Sequence, residues 1–288
     1  MKLDDYRTSD NVGDQRGQRF GGGGGGGLGL LLNLVGSRFG LGGIAVVVIG
    51  AMLLGFNPFG GGVATGPQTA VGGRSAEQAC AVDAASRFSC QVLASTEDIW
   101  GAIFAESGQR YTPAGFIFYG GQGQSGCGAA QSAMGPFYCP TDSRIYLDTS
   151  FYGELSQRFG AAGDFAQAYV IAHEVGHHVQ GLMGTLDQVR QQQAAVGTAE
   201  GNALQVRVEL QADCYAGVWA ARNRDRLEPG DVEEGMAAAA AIGDDTLQRA
   251  TQGRVVPESF THGTSAQRME WLRRGLQSGD PAACETFG

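Results

Sequence analysis

The sequence predicts an α+β fold, mainly helical, with a small antiparallel or mixed sheet and one transmembrane helix ahead of it. Three observations carry that reading. An uncharged apolar run covers 39–59, short β-rich runs separated by Gly-rich turns fall between 111 and 148, and helical patterns fill the chain from 151 onward. The 288 residues include 48 glycines, 22 of them in residues 1–73 and 26 in residues 74–288. No Gly-X-Y period accompanies them, which excludes collagen. A hydrophobic content of 43% excludes wholesale disorder.

In chain order, residues 1–38 read as a flexible Gly-rich cytoplasmic tail, mostly polar to residue 20 and then glycine from Gly21 to Gly27. Residues 39–59 read as the transmembrane helix. There is no charge between Phe39 and Gly73, and the apolar centre runs from Leu41 to Phe56. About 20 helical residues span one hydrocarbon core of about 30 Å. A buried core helix would show a polar stripe, and a cleavable signal peptide would begin closer to its apolar region, although Gly62-Val63-Ala64 offers a cleavage site. The nearby basic residues precede the run and the next is Arg74, so the positive-inside rule puts the N-terminus in the cytoplasm and the body outside. Residues 60–73 are a linker, and 74–288 form one extracytoplasmic domain.

Within that domain Ser75 to Ala94 reads as a helix, and Thr96-Glu97-Asp98-Ile99-Trp100 as the capped start of another. "GFIFY", "GPFYC" and "RIYLD" read as strands. "RIYLD", at 144–148, is also a candidate edge strand for pairing with an extended peptide. Helices are expected over roughly 151–159, 164–184, 186–196, 200–223, 230–251 and 264–278.

Charge narrows the partners. Beyond residue 38 there are 15 basic and 25 acidic residues, a balance that excludes ordinary nucleic-acid binding. Lys2 is the one lysine in the chain, so the body has no lysine nucleophile. All six cysteines follow the apolar run, and an even number in an oxidising compartment reads as disulfides. Six cysteines allow 15 connectivities. Neighbour pairing, 80–90, 127–139 and 214–284, is the expectation. It requires a break in the helix between Cys80 and Cys90, which ten helical residues would hold about 15 Å apart.

The chemistry concentrates at His173-Glu174-Val175-Gly176-His177, the pattern H-E-x-x-H inside a helical run. Spacing i, i+4 puts His173 and His177 one turn apart on one face, where both reach one metal ion. Glu174 stands beside them as candidate general base for a zinc-activated water. His178 points off that face, as a supporting or surface residue. A catalytic zinc takes three protein ligands. The continuation that would supply a third histidine nearby fails, with Gln180 and Met183 at its key positions. Glu209, on a second helix, is the candidate third ligand. Asp213, four residues on, is the candidate acceptor of a ligand histidine's free N–H. Ala212, Ala216 and Gly217 are small enough to let the two helices approach. His262 is a candidate donor to the oxyanion, with Tyr146 and Tyr215 as rivals, and Arg268 a candidate brace for its loop.

The H-E-x-x-H helix, "ELQAD", the stretch at 139–148 and "FTHGTSAQR" together resemble the bacterial neutral zinc metallopeptidase family, over essentially the whole chain. The helix pair is also similar to that of the prenyl-protein and heat-shock membrane endopeptidases. These resemblances imply a zincin-like domain with Zn2+ held by His173, His177 and Glu209. They imply Glu174 as base and His262 near the oxyanion. They imply a single-pass protein of the bacterial cell membrane acting on a peptide or protein substrate. A non-catalytic zinc-binding structural or adaptor module of the cell envelope would use the same ligands; Glu174 favours the peptidase, because a structural site has no use for a base.

Overall fold

The computed structural model describes residues 1–18, 74–157 and 160–287. The expected transmembrane helix at 39–59, the linker at 60–73 and the tail beyond residue 18 lie outside the described residues. Among the described residues no helix is long and apolar enough to cross a membrane.

Helix α1 (Ala76–Cys80) opens on a capping box between Ser75 and Gln78. Helix α2 (Ala84–Glu106) opens on Asp83, whose carboxylate accepts from Ser86 N at 2.7 Å. The turn between them is the break that Cys80–Cys90 requires, and it brings the two Cα atoms to 5.9 Å. Cys127–Cys139 and Cys214–Cys284 complete the expected neighbour pairing. The expected new helix at Thr96 is corrected. Thr96 is buried inside α2, and its hydroxyl donates back to Leu93 O at 2.6 Å, so it does not cap a new start.

The main sheet has four strands. They are β1 (Val12–Asp14), β2 (Gly115–Phe118), β5 (Phe137–Cys139) and β6 (Arg144–Leu147), in the order β1-β2-β6-β5. β1, β2 and β6 run parallel and β5 antiparallel to β6. Strands β3 (Gln122–Ser125) and β4 (Gly128–Gln131) form a separate hairpin. The strand "RIYLD" is therefore not an edge. Ile145, Tyr146 and Leu147 are buried in succession between two neighbours, and the edges are β1 and β5.

The expected flexible tail is corrected for its first 18 residues. They pack on the body, with β1 in the sheet, Leu3 buried and Lys2 N donating to Arg226 O at 2.8 Å. Its anchors are mainly polar, which is why no apolar period announced them.

The remaining helices are α3 (Ser150–Gln157), α4 (Asp164–Leu182), α5 (Thr185–Gln193), α6 (Thr198–Arg222), α7 (Asp231–Ala241), α8 (Asp244–Gln252) and α9 (Ser265–Ser278). The single helix expected over 230–251 divides at Gly243, where a Cβ would stand 2.4 Å from Ser265 N. The core lies where α4, α6 and α9 cross. Trp219 is fully buried there and donates to Ser95 Oγ at 3.1 Å, tying α6 to α2. α6 and α9 touch backbone to backbone, since a Cβ on Gly275 would stand 1.9 Å from Cys214 O. Gly217 serves this same contact, not the approach to α4 expected for it: its Cβ would stand 2.2 Å from Leu272 O.

Candidate metal centre

His173 and His177 leave one face of α4 with ring centroids 4.7 Å apart. Gly176, between them, lies against α6: a Cβ there would stand 3.0 Å from Ala212 Cα and O. That close approach brings Glu209 over the pair. Glu209 Oε2 is 3.2 Å from His173 Nε2 and 3.6 Å from His177 Nε2. Ligand atoms about 2.1 Å from a tetrahedral zinc stand about 3.4 Å from one another. The two separations match that, and two imidazoles with one carboxylate are a donor set zinc accepts.

Each candidate ligand is held from behind. His173 donates Nδ1–H to Asp213 Oδ1 at 2.8 Å, which leaves Nε2 for a metal. Asp213 is fully buried and takes Arg268 Nε on Oδ2 and Arg268 Nη2 on Oδ1, both at 2.8 Å, and the Tyr169 hydroxyl at 2.6 Å. His177 donates Nδ1–H to Gln180 Oε1 at 2.9 Å, and the Gln180 amide reaches Val208 O at 2.7 Å. Glu209 Oε1 accepts from Gln205 at 3.1 Å, which turns Oε2 to the histidines. Burial disfavours every charge here, but the partners prevail. Asp213 falls to about 2 beside Arg268 and His173, and His173 rises to about 9 beside Asp213 and Glu209. Glu209 lies well below the usual carboxylate range because His177 and His262 face it.

A cavity of about 540 Å³ opens on the trio. Glu174 and His262 both line it, with Met134, Phe137, Val170 and Leu186 among its apolar walls. His262 is half-buried in the loop before α9. Its backbone N–H donates to Asp244 Oδ2 at 2.6 Å and its Nδ1 lies 3.3 Å from Asp244 Oδ1. Burial alone would lower its pKa; the charges of Glu209 and Asp244 raise it. Its rivals are elsewhere. The Tyr146 hydroxyl donates to Asp142 Oδ2 at 2.6 Å, and Tyr215 packs edge-on against Trp100. His178 is in the core: Nε2–H donates to Thr112 O at 2.7 Å and Nδ1 faces the Tyr138 hydroxyl.

Gln180 and Arg268 support the site beyond what the sequence predicts. Gln180 had a signal, since i, i+3 from His177 puts it beside that ring. Arg268, expected to brace the loop, is the partner of Asp213.

Two histidines from one helix, a glutamate from a crossing helix and a second glutamate on the open side define the site of a zinc-metallopeptidase-type protein. The chain belongs to the family described as "Putative neutral zinc metallopeptidase", whose model matches residues 1–287. It is 47% identical to the uncharacterized protein YpfJ of Escherichia coli (strain K12), over all of this chain and 99% of that protein. It is 43% identical to the uncharacterized protein Rv2575 of Mycobacterium tuberculosis (strain H37Rv), over 82% of this chain and 85% of that one. No solved structure matches it.

Proposed function

We propose that the protein is a membrane-anchored, zinc-dependent peptidase whose body works in an oxidising compartment outside the bacterial cytoplasm. One observation carries the reading: His173, His177 and Glu209 stand at zinc-ligand separations on the wall of a cavity that Glu174 also lines. The three disulfides support the compartment, and the apolar run at 39–59 supports the anchor.

Bound zinc would supply Lewis-acid chemistry, acidifying a water and polarising a carbonyl. The rest falls to the chain. Glu174 takes the proton of the attacking water and carries it to the leaving amine. His262 donates a hydrogen bond to the oxyanion from across the cavity. Strand β5, an edge of the sheet with Phe137 and Tyr138 on the cavity wall, pairs with the substrate backbone. Met134, Phe137, Val170 and Leu186 favour an apolar side chain near the scissile bond.

The test is Glu174→Gln in the full-length chain, comparing bound zinc by elemental analysis and peptides released in the cell envelope with wild type. Zinc at wild-type occupancy with the released peptides lost is the expected result. Equal peptide release from the two proteins would remove Glu174 from the reaction.

A further inference from the structure

Buried charged groups join the first 18 residues to the body. Glu97, buried on α2, accepts from Arg7 Nη2 at 3.0 Å and Asn11 Nδ2 at 2.8 Å, and from the Ser9 hydroxyl. Asp14 is equally buried. Arg16 reaches its Oδ2 at 2.8 Å, and Arg74, from beyond the undescribed stretch, reaches the same oxygen at 2.9 Å. Arg16 also donates to Ser86 Oγ at 2.7 Å and to Ala79 O at 2.9 Å, and lies over the Phe118 ring. The backbone joins in, with Phe116 N donating to Asn11 O at 2.8 Å and Gln15 N to Phe118 O at 2.7 Å. A buried carboxylate stripped of such partners is costly, so these contacts belong to the folded body and are not an optional docking.

They form only where both parts share a compartment. A single crossing by 39–59 would put about 30 Å of hydrocarbon between Glu97 and Arg7. We infer that residues 1–18 and residues 74–287 lie on the same side of the membrane, so that the chain makes no net crossing between them. Two further observations agree. Arg74, the first described residue after that stretch, pairs with Asp14 of the N-terminal segment at 2.9 Å. Arg7 and Arg16, counted by the positive-inside rule as cytoplasmic charges, are paired with Glu97, Asp98 and Asp14 of the folded assembly. The expected arrangement of cytoplasmic N-terminus and external body gives way to one shared side.

The test uses the full-length chain in its membrane. Asp10→Cys and Arg273→Cys each place a thiol at an exposed position, one in the N-terminal segment and one on α9. Intact spheroplasts are treated with a membrane-impermeant maleimide, before and after lysis, and non-reducing gels check that the three native disulfides persist. The two positions are expected to label to the same extent in intact spheroplasts, with no gain for either on lysis. Protection of both until lysis also keeps them together and supports the shared side. Labelling of one position in intact spheroplasts, with the other labelled only after lysis, would overturn it.

Discussion

Arg268 grips Asp213 through two parallel hydrogen bonds, Nε to Oδ2 and Nη2 to Oδ1, both 2.8 Å. Asp213 in turn holds Nδ1 of His173. The candidate metal ligand His173 on α4 is thus aimed by a guanidinium on α9, through a carboxylate on α6. Lysine cannot reproduce a bidentate fork. Arg268→Lys is expected to weaken zinc binding by about 10–100-fold, the usual effect of losing such a support. Competition against a chromophoric chelator measures it, and unchanged affinity would break the chain of support.

The same crossing can be tested through its backbone contact. Gly275→Ala places a Cβ 1.9 Å from Cys214 O, a carbonyl that cannot swing aside. The cost is expected to be at least about 1–3 kcal/mol, read as a lower Tm. Gly153, in α3, has open space around its Cβ position. Gly153→Ala is expected to hold or raise Tm, by up to about 1 kcal/mol. Equal effects at both positions would show that the close approach is not what Gly275 provides.

Acid should loosen the N-terminal segment through Asp14. Burial raises its pKa, but Arg16 and Arg74 lower it further, so the folded value lies below the unfolded one. The stability from Asp14 is then fully present above the unfolded carboxyl value, about 4, and is lost as pH falls through the folded value. Asp14→Asn is expected to cost roughly 2 kcal/mol at neutral pH. Urea midpoints for the two proteins should converge below about pH 4. A difference that stays constant down to pH 2 would mean the charge is not the source.

His262 should matter for turnover and not for metal. His262→Ala is expected to lower kcat by about 10²–10³-fold, as loss of an oxyanion donor does, with zinc occupancy unchanged. Stopped assays on a peptide identified through the Glu174→Gln comparison read the rate, and elemental analysis reads the zinc. Loss of zinc would place His262 among the ligands.

The candidate trio was legible because helical period fixes it: i, i+4 on one helix brings His173 and His177 together, and a second helix with acids four apart offers Glu209 and Asp213. The supports were harder to read. Arg268 comes 55 residues after Asp213, and no local pattern links them. The hairpin β3–β4, "QGQS" and "GAAQ", carries no β-branched residue and reads as loop. The first 18 residues read as tail because charges anchor them, and a polar segment with buried ion pairs looks like a solvated one until its partners are known.

Cys214 directly follows Asp213 on α6, and its bridge to Cys284 fastens the 3-10 turn Pro281–Cys284 to the helix that carries Glu209. Gln211, between the two acids, donates to Cys284 O at 3.0 Å from the same helix. Where thiols are kept reduced, that strap stays open. The backing of Glu209 is therefore finished only after oxidation, and a chain whose thiols stay reduced carries its candidate site on an unstrapped helix.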